Sequence, residues 1–286
     1  MLSRIARAGA AALCLTGLVG LLSASAATAK PLAHKSVIGG APASLQQWGF
    51  TAAVTTSTEL CSGTVISSTQ VLTAAHCAGN PLTMLVRTNS TLAFSGGEAS
   101  AVTSATFAPG YARGIENDLA ILTLKTPTSA PAIQPATAAE DAAYGQPGAG
   151  LAVAGFGNRN PIAGRKQQIG LLTAADVSPK LCAIPQFLIC DAGTRAGTAF
   201  VKLKKKGKRE VKRRRVLRTI CSGDSGGPLV AFTPAGPRLI GITEASTAPV
   251  SKRNPFYFVF CGLKGYPSLH TRAFTFRDFI EGNIAP

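Results

Sequence analysis

The chain has 286 residues, which is enough for one large domain or two packed ones. Apolar residue types make up 46% of it and charged types 15%, so a sizeable core can form and wholesale disorder is excluded. A formal net charge of +16 would favour a nucleic-acid-binding protein if it were evenly spread. However, residues 202–218 hold eleven Lys and Arg and one Glu, residues 1–36 hold four more basic residues, and the remainder is nearly neutral.

Residues 1–29 have the pattern of a secretory signal peptide. Two arginines precede an uncharged, mostly apolar run over residues 8–22, which is too short to favour a membrane span. The small residues around Ala29 predict cleavage there, with Ala26 as the alternative, and an uncleaved anchor is the competing interpretation. No later segment is long and apolar enough to span a bilayer, so we predict a secreted, extracellular protein.

An even number of cysteines follows the leader: Cys61, Cys77, Cys182, Cys190, Cys221 and Cys261. In an exported chain this predicts disulfides, although six cysteines allow fifteen pairings and their spacing alone does not choose one. No metal or other cofactor is predicted. There is no Cys-x-x-Cys pair, and the chain from Val37 onward has two histidines, His76 and His270.

Short apolar runs rich in β-branched residues alternate with Gly, Pro, Ser and Thr clusters from Phe50 onward. This predicts many strands separated by turns, as in an all-β barrel or sandwich. Residues 130–150, with three prolines, are interpreted as a linker near the middle. A helical pattern is found only at the C-terminal end, where apolar residues recur at steps of three to four from Thr275.

Three strings carry the candidate chemistry: Leu-Thr-Ala-Ala-His-Cys at 72–77, Asn-Asp-Leu-Ala-Ile-Leu at 117–122 and Cys-Ser-Gly-Asp-Ser-Gly-Gly-Pro at 221–228. Each has an ordinary structural explanation, since an Asp before an apolar strand is usually a turn residue and a glycine-rich run is usually a loop. The order His, Asp, Ser with these flanking residues is much harder to obtain by chance.

These strings resemble the three catalytic segments of the chymotrypsin/trypsin family of serine proteases. The resemblance extends from Val37 to about Ile284 and includes four further strings, at 37–40, 61–66, 155–158 and 266–272. It implies an all-β fold of two packed antiparallel six-stranded β-barrels with a C-terminal α-helix. It also implies that His270 occupies a structural strand position.

The resemblance further implies an order of segments along the chain. We expect a signal peptide at 1–29, a short propeptide at 30–36 and a peptidase domain at 37–286. Within the domain we expect barrel one at about 37–140, barrel two at about 141–272 and a terminal helix at about 273–284.

The resemblance implies a secreted serine endopeptidase acting through a triad and an acyl-enzyme. A serine hydroxyl is a poor nucleophile at neutral pH, so Ser225 would need His76 as its base. Asp118 would accept the other imidazole N–H, fix the tautomer and stabilise the imidazolium. The backbone N–H groups of Gly223 and Ser225 would form the oxyanion hole.

By the same resemblance, the disulfides pair Cys61 with Cys77, Cys182 with Cys190 and Cys221 with Cys261. Cleavage before Val37 would create an α-amino group that pairs with Asp224 and orders the pocket. Because Ser36 precedes Val37, we expect an activating protease that accepts Ser, or trimming after cleavage at Lys35.

The specificity pocket implied by the resemblance consists of Thr219, Ile220, Ser246 and Ser268. A neutral pocket offers no countercharge for Lys or Arg, so neutral, apolar P1 residues are expected. One departure from the family is Glu244, in a strand where Ser-Trp-Gly is usual. This side chain could perturb His76, supply a negative wall or point to solvent.

The basic segment at 202–218 has three interpretations: a mobile solvated insertion, an anchor for polyanions, or a site of regulatory cleavage. Expected partners are protein or peptide substrates, with possible polyanion contact through this segment, and a monomer is expected. The alternative function is a catalytically weak or inactive protease homologue that binds polyanions or the cell envelope.

Overall fold

A computed structural model describes residues 37–284, apart from 113, 115, 160–167, 183, 192, 206–207, 247–260 and 262–266. For residues 194–216, 245 and 246 it describes the backbone alone. The predicted signal peptide and propeptide lie outside the described residues.

Strands dominate the described part of the chain. Their bounds are β1 Ala41–Pro42, β2 Thr51–Thr55, β3 Leu60–Ser67, β4 Gln70–Thr73, β5 Leu85–Thr88, β6 Glu98–Phe107, β7 Ala120–Leu124, β8 Gln134–Pro135, β9 Leu151–Gly155, β10 Thr173–Val177, β11 Pro179–Lys180, β12 Leu188–Asp191, β13 Thr194–Lys205, β14 Lys208–Arg218, β15 Pro228–Thr233, β16 Gly236–Ser246 and β17 Ser268–Arg272.

The first six-stranded unit is a closed antiparallel barrel with the order β2-β3-β4-β7-β6-β5. Its strands carry the β-branched and aliphatic residues that favour pleated, half-buried structure. Their inward side chains form the barrel core, including Val54, Val65, Leu72, Ile121 and Leu122. The predicted first barrel is therefore present.

The second unit is a curled nine-stranded sheet with the order β1-β10-β9-β15-β16-β17-β12-β11, in which β8 pairs in parallel with β16. Among the described strands it is a curled half-barrel, and together with the closed first barrel and the C-terminal helix it confirms the predicted all-β fold of two packed units. The chain between β12 and β15 pairs with itself as the β13–β14 hairpin, so it adds no strand to the sheet.

Three α-helices and three 3₁₀ helices complete the described elements: α1 Leu45–Trp48, α2 Ala138–Tyr144 and α3 Arg277–Asn283, with 3₁₀ turns at Ala75–Cys77, Pro81–Thr83 and Phe274–Phe276. The C-terminal helix was predicted, and the 3₁₀ turn leads directly into it. The stretch predicted as a linker, 130–150, lies between β7 of the barrel and β9 of the sheet and contains β8 and α2. A capping box between Thr137 and Glu140 begins α2, as the two side chains bond each other's backbone N–H groups.

The basic segment also differs from a mobile loop, because its backbone forms the long β13–β14 hairpin. Cross-strand pairs run from Thr194 with Arg218 to Lys205 with Lys208. Gly193 N–H donates to Asp191 Oδ1 (2.6 Å) at the base of the hairpin. The backbone of most of the basic residues therefore lies in a two-stranded β-ribbon.

The closed barrel and the curled sheet share one hydrophobic core. Val65 and Leu72 of the barrel belong to the same buried cluster as Ala154, Phe156 and Ile242 of the second unit. The candidate site residues come from both units, so this shared core fixes their relative positions.

Candidate active site

Pairing within the first barrel brings His76 and Asp118 together. His76 lies in the 3₁₀ turn that follows β4, and Asp118 lies just before β7, which pairs with β4. His76 Nδ1 is 2.6 Å from Asp118 Oδ2, and the His76 backbone N–H donates to Asp118 Oδ1 (2.8 Å). The Asp118 side chain is 2% exposed and the His76 side chain 44%, so a shielded carboxylate holds an imidazole that reaches solvent.

Ser225 lies in a tight loop that requires glycine on either side. Gly223 and Gly226 have φ values of 96° and 86°, in the left-handed region. A Cβ on Gly226 would lie 2.2 Å from the Ser62 carbonyl oxygen, and one on Gly223 would lie 2.8 Å from Gly157 Cα. Larger residues would therefore push this loop away from Ser62 of the first barrel and from Gly157 of the second unit.

The backbone of Ser225 lies against the segment that carries His76. Its carbonyl oxygen accepts the Ser62 N–H (2.8 Å) and is 3.9 Å from Cys77 Sγ. The Ser225 hydroxyl, however, donates to the Glu244 carbonyl oxygen (2.9 Å) and not to His76. The structure thus joins His76 and Asp118 directly and brings Ser225 alongside through its backbone.

The N–H groups of Gly223 and Ser225 differ from their neighbours in this loop. Those of Asp224, Gly226 and Gly227 donate to carbonyl oxygens of Cys221, Thr243 and Asp224. Those of Gly223 and Ser225 donate to none of the described residues. Among the described residues, two N–H groups on alternate residues are therefore open to an external acceptor.

Asp224 is completely buried, and its carboxyl accepts N–H groups from Gly157 and Cys221 (2.8 Å each). Burial raises the pKa of Asp224 to about 7. A Cβ on Gly157 would lie 2.6 Å from Asp224 Cγ, which explains glycine at that position. Val37, the other member of the predicted activation pair, is also buried.

The predicted pocket residues fall on neighbouring segments. The hydroxyls of Thr219 and Ser268 are 2.5 Å apart, and both residues are buried, as is Ile220. Ser246 pairs with Ser268 in the β16–β17 register, although its side chain lies outside the described atoms. The described side chains of this group are all uncharged.

Three disulfides join Cys61 to Cys77, Cys182 to Cys190 and Cys221 to Cys261. This is the pairing that the resemblance implied. Possible metal ligands of Cys61, His76 and Cys77 lie within 4.8 Å of one another, but both sulfurs belong to the first disulfide. These atoms are therefore not a cation site.

Comparison with known proteins identifies the family. The trypsin family model matches residues 37–280. The chain belongs to the trypsin family. The chain is 27% identical over 262 residues to a trypsin of Saccharopolyspora erythraea, covering 87% of this chain and 98% of that protein. It is also 27% identical to human serine protease 56 over 88% of this chain, but spans 39% of that protein's length.

An insect relative, phenoloxidase-activating factor 3 of Holotrichia diomphalia, is 29% identical over 248 residues, covering 78% of this chain and 64% of that protein. This trypsin-family chain is therefore a serine-protease homologue over nearly its whole described length. Among its described helices, none is long and apolar enough to cross a membrane.

Sequence reasoning missed two features near the site. Ser62 is completely buried and bridges two loops, because its hydroxyl donates to the Gly223 carbonyl oxygen (2.9 Å) and accepts the Phe156 N–H (3.0 Å). A second buried pair joins Asp191 to His270. The strings around Ser62 and His270 offered a signal, whereas Asp191, 79 positions from His270, lies in no such string.

Proposed function

We propose that this protein is a secreted serine endopeptidase that hydrolyses peptide bonds through Ser225, His76 and Asp118. The observation that carries this proposal is the Asp118–His76 pair, which orients an exposed imidazole next to the loop that holds Ser225. Asp118 fixes the tautomer with the proton on Nδ1, which leaves Nε2 free to accept one.

In this mechanism the Ser225 hydroxyl leaves the Glu244 carbonyl and turns to His76. Its oxygen attacks the substrate carbonyl carbon while its proton passes to His76 Nε2. The N–H groups of Gly223 and Ser225 bind the resulting oxyanion, and loss of one such donor typically costs about 10²–10³-fold in rate. The imidazolium then protonates the leaving amine, and water releases the acyl group through the same steps.

Activation is proposed to follow cleavage before Val37. The buried Asp224 carboxyl has two N–H donors, and burial makes an ionised form costly unless a cation joins it. A new ammonium group at Val37 would supply that cation. N-terminal sequencing should find Val37 on active enzyme, and an N-terminus at Lys30 on fully active enzyme would contradict this step.

The pocket is proposed to take neutral, apolar P1 side chains. Thr219 and Ser268 bond each other and carry no charge, so a buried Lys or Arg of the substrate would lack a partner. Peptides varied only at P1 test this, and a strong preference for Arg or Lys contradicts it.

The activity itself is tested with a fluorophosphonate probe, which reacts with activated serines. Wild-type enzyme should be labelled and Ser225→Ala should not. Ser222→Ala, in the same loop, is the matched control and should retain labelling. Equal labelling of wild type and Ser225→Ala, or none in either, contradicts the proposal.

A second function, polyanion binding, is favoured by the β13–β14 hairpin. Eleven Lys and Arg with one Glu lie within residues 202–218, and the backbone holds most of them on a two-stranded ribbon. Binding should be salt-sensitive and indifferent to sequence, because it depends on counterion release. Deleting residues 198–215 should abolish retention on heparin, and unchanged retention excludes this function.

A further inference from the structure

Glu244 combines deep burial with an unbonded carboxyl group. The residue is 2% exposed, and its carboxyl oxygens make no well-formed hydrogen bond, although the Thr271 hydroxyl lies close enough to oppose the rise in its pKa. An ionised carboxylate is expensive to bury without donors, so a group in this position is expected to keep its proton. The family resemblance offers no role for a carboxylic acid at this position.

The backbone at Glu244 is also irregular. In the β16–β17 register Thr243 pairs with His270 and Ala245 with Leu269, so Glu244 is the extra residue of a β-bulge. A bulge re-aims the side chain of the bulged strand, and such bulges are common beside active sites. The carbonyl oxygen of the same residue accepts the Ser225 hydroxyl (2.9 Å).

Glu244 and Asp118 are close enough for their charges to interact. Burial raises the pKa of Glu244 to about 8, and the charge of Asp118 adds to this rise. Thr271 lies between the two segments, because its hydroxyl donates to the Asp118 carbonyl oxygen (3.3 Å) and faces the Glu244 carboxyl. Among the described groups near Glu244, Asp118 is the charged one, and Thr271 and Ser225 contribute hydroxyl groups.

The two carboxyl groups are not equivalent. Asp118 accepts the His76 backbone N–H and the His76 Nδ1–H, at 2.8 and 2.6 Å, whereas the hydroxyl that Glu244 faces, that of Thr271, gives its proton to the Asp118 carbonyl oxygen. When two buried carboxyl groups share a site, the one with donors holds the negative charge and the other holds the proton. Each Asp118 oxygen accepts one of these bonds and keeps a lone pair for an O–H donor.

We propose that Glu244 is a positioning residue of the catalytic site, whose neutral carboxyl group steadies the Asp118 carboxylate through its O–H and whose ionisation at alkaline pH disables the site. The proposal rests on the protease function proposed above. Ionised Glu244 has no proton to donate and repels Asp118. A change in the Asp118 carboxylate alters the orientation of His76, which it holds. A shift of the Glu244 backbone alters the position of the Ser225 hydroxyl, which donates to the Glu244 carbonyl oxygen.

The test is the rate of fluorophosphonate labelling of the activated enzyme as a function of pH, normalised for each variant to its own rate at pH 7. With the Glu244 pKa at about 8, wild-type labelling should fall about thirtyfold at pH 9.5, as the neutral fraction does. Glu244→Gln keeps an N–H donor but cannot ionise, so its normalised rate should fall less than about threefold. Glu59→Gln, an exposed change, should follow wild type.

A second variant separates positioning from packing. Glu244→Ala removes the donor at every pH, so its rate at pH 7 should drop about tenfold, and Glu244→Gln should recover most of that loss. If Glu244→Ala does not fold, the fall in labelling rate between pH 7 and pH 9.5, compared between wild type and Glu244→Gln, tests the inference by itself. If the normalised labelling rate falls equally at alkaline pH in wild type and Glu244→Gln, this inference is overturned while the protease function is left intact. Absence of labelling at any pH overturns both.

Discussion

Two Asp–His pairs of similar geometry lie in this chain. His76 Nδ1 is 2.6 Å from Asp118 Oδ2, and His270 Nε2 is 2.8 Å from Asp191 Oδ2. Each carboxylate also accepts a backbone N–H, from His76 itself in the first pair and from Gly193 in the second. By distance alone, either pair could be the general base of a hydrolase.

Their surroundings differ. The side chain of His76 is 44% exposed, whereas His270 and Asp191 are completely buried. The remaining nitrogen of His270 faces the buried Thr243 hydroxyl at 3.3 Å, so that pair is closed on itself. The comparison teaches that access to the free imidazole nitrogen, and not the quality of the Asp–His bond, separates the pair proposed to be catalytic from the structural one.

The largest effect is expected from His76→Gln. Losing the general base should lower fluorophosphonate labelling about 10⁵-fold. The melting temperature should change little, because the backbone N–H of residue 76 still donates to Asp118 and the side chain is partly exposed. Calorimetry and labelling on the same sample check this. A large loss of stability with labelling retained contradicts it.

The same substitution at the other pair should have the opposite effect. His270→Gln leaves Asp191 buried with an imperfect partner, which should cost about 3 kcal/mol of unfolding free energy. Labelling per folded molecule should remain within about threefold of wild type. Urea denaturation gives the first quantity and active-site titration the second. A stable but inactive variant would mean that the buried pair takes part in catalysis.

These two pairs also show how far the sequence predicts the structure. His76, Asp118 and Ser225 each lie in a local string that resembles a known segment, so they could be named before the fold was known. His270 lies in the string at 266–272, which implied a structural position, but Asp191 lies in none, and the β12–β17 pairing brings the two together.

Other elements escaped prediction for physical reasons of their own. Prolines at 131, 135 and 147 suggested a linker, but α2 lies between them and is begun by the Thr137–Glu140 capping box. Like charges at 202–218 suggested a solvated loop, yet cross-strand backbone pairing orders them. The bulge at Glu244 depends on how β16 pairs with β17. The sequence of one strand does not specify its register against another, so the bulge could not be predicted.

A third, pH-dependent effect comes from Glu244, which lies in β16, the strand that pairs with the His270 strand β17. Its pKa rises from an ordinary 4.5 to about 8 in the folded protein. Between these values the folded state holds a proton that the unfolded state has lost, so this residue lowers stability progressively as pH rises through the window. Glu244→Gln should therefore be more stable than wild type by about 2–4 kcal/mol at pH 8 and equally stable near pH 4.

Asp224 has a pKa raised in the same direction, but it is present in both proteins and cancels in their difference. Denaturation curves at several pH values measure that difference. If the difference in unfolding free energy between wild type and Glu244→Gln is the same at every pH tested, the assignment of a proton to Glu244 is contradicted.

The smallest effect is expected at the hydroxyl beside the buried imidazole. Thr243→Val keeps the shape of the side chain and removes the hydroxyl that is 3.3 Å from His270 Nδ1. One long, neutral hydrogen bond contributes about 1 kcal/mol, so the melting temperature should fall by a few degrees and labelling should persist. Ser225→Ala is the counterpart beside the exposed imidazole, with stability kept and labelling lost. If Thr243→Val and Ser225→Ala both changed stability and neither changed labelling, the two Asp–His pairs would be equivalent. The greater solvent exposure of His76 would then have no effect on reactivity.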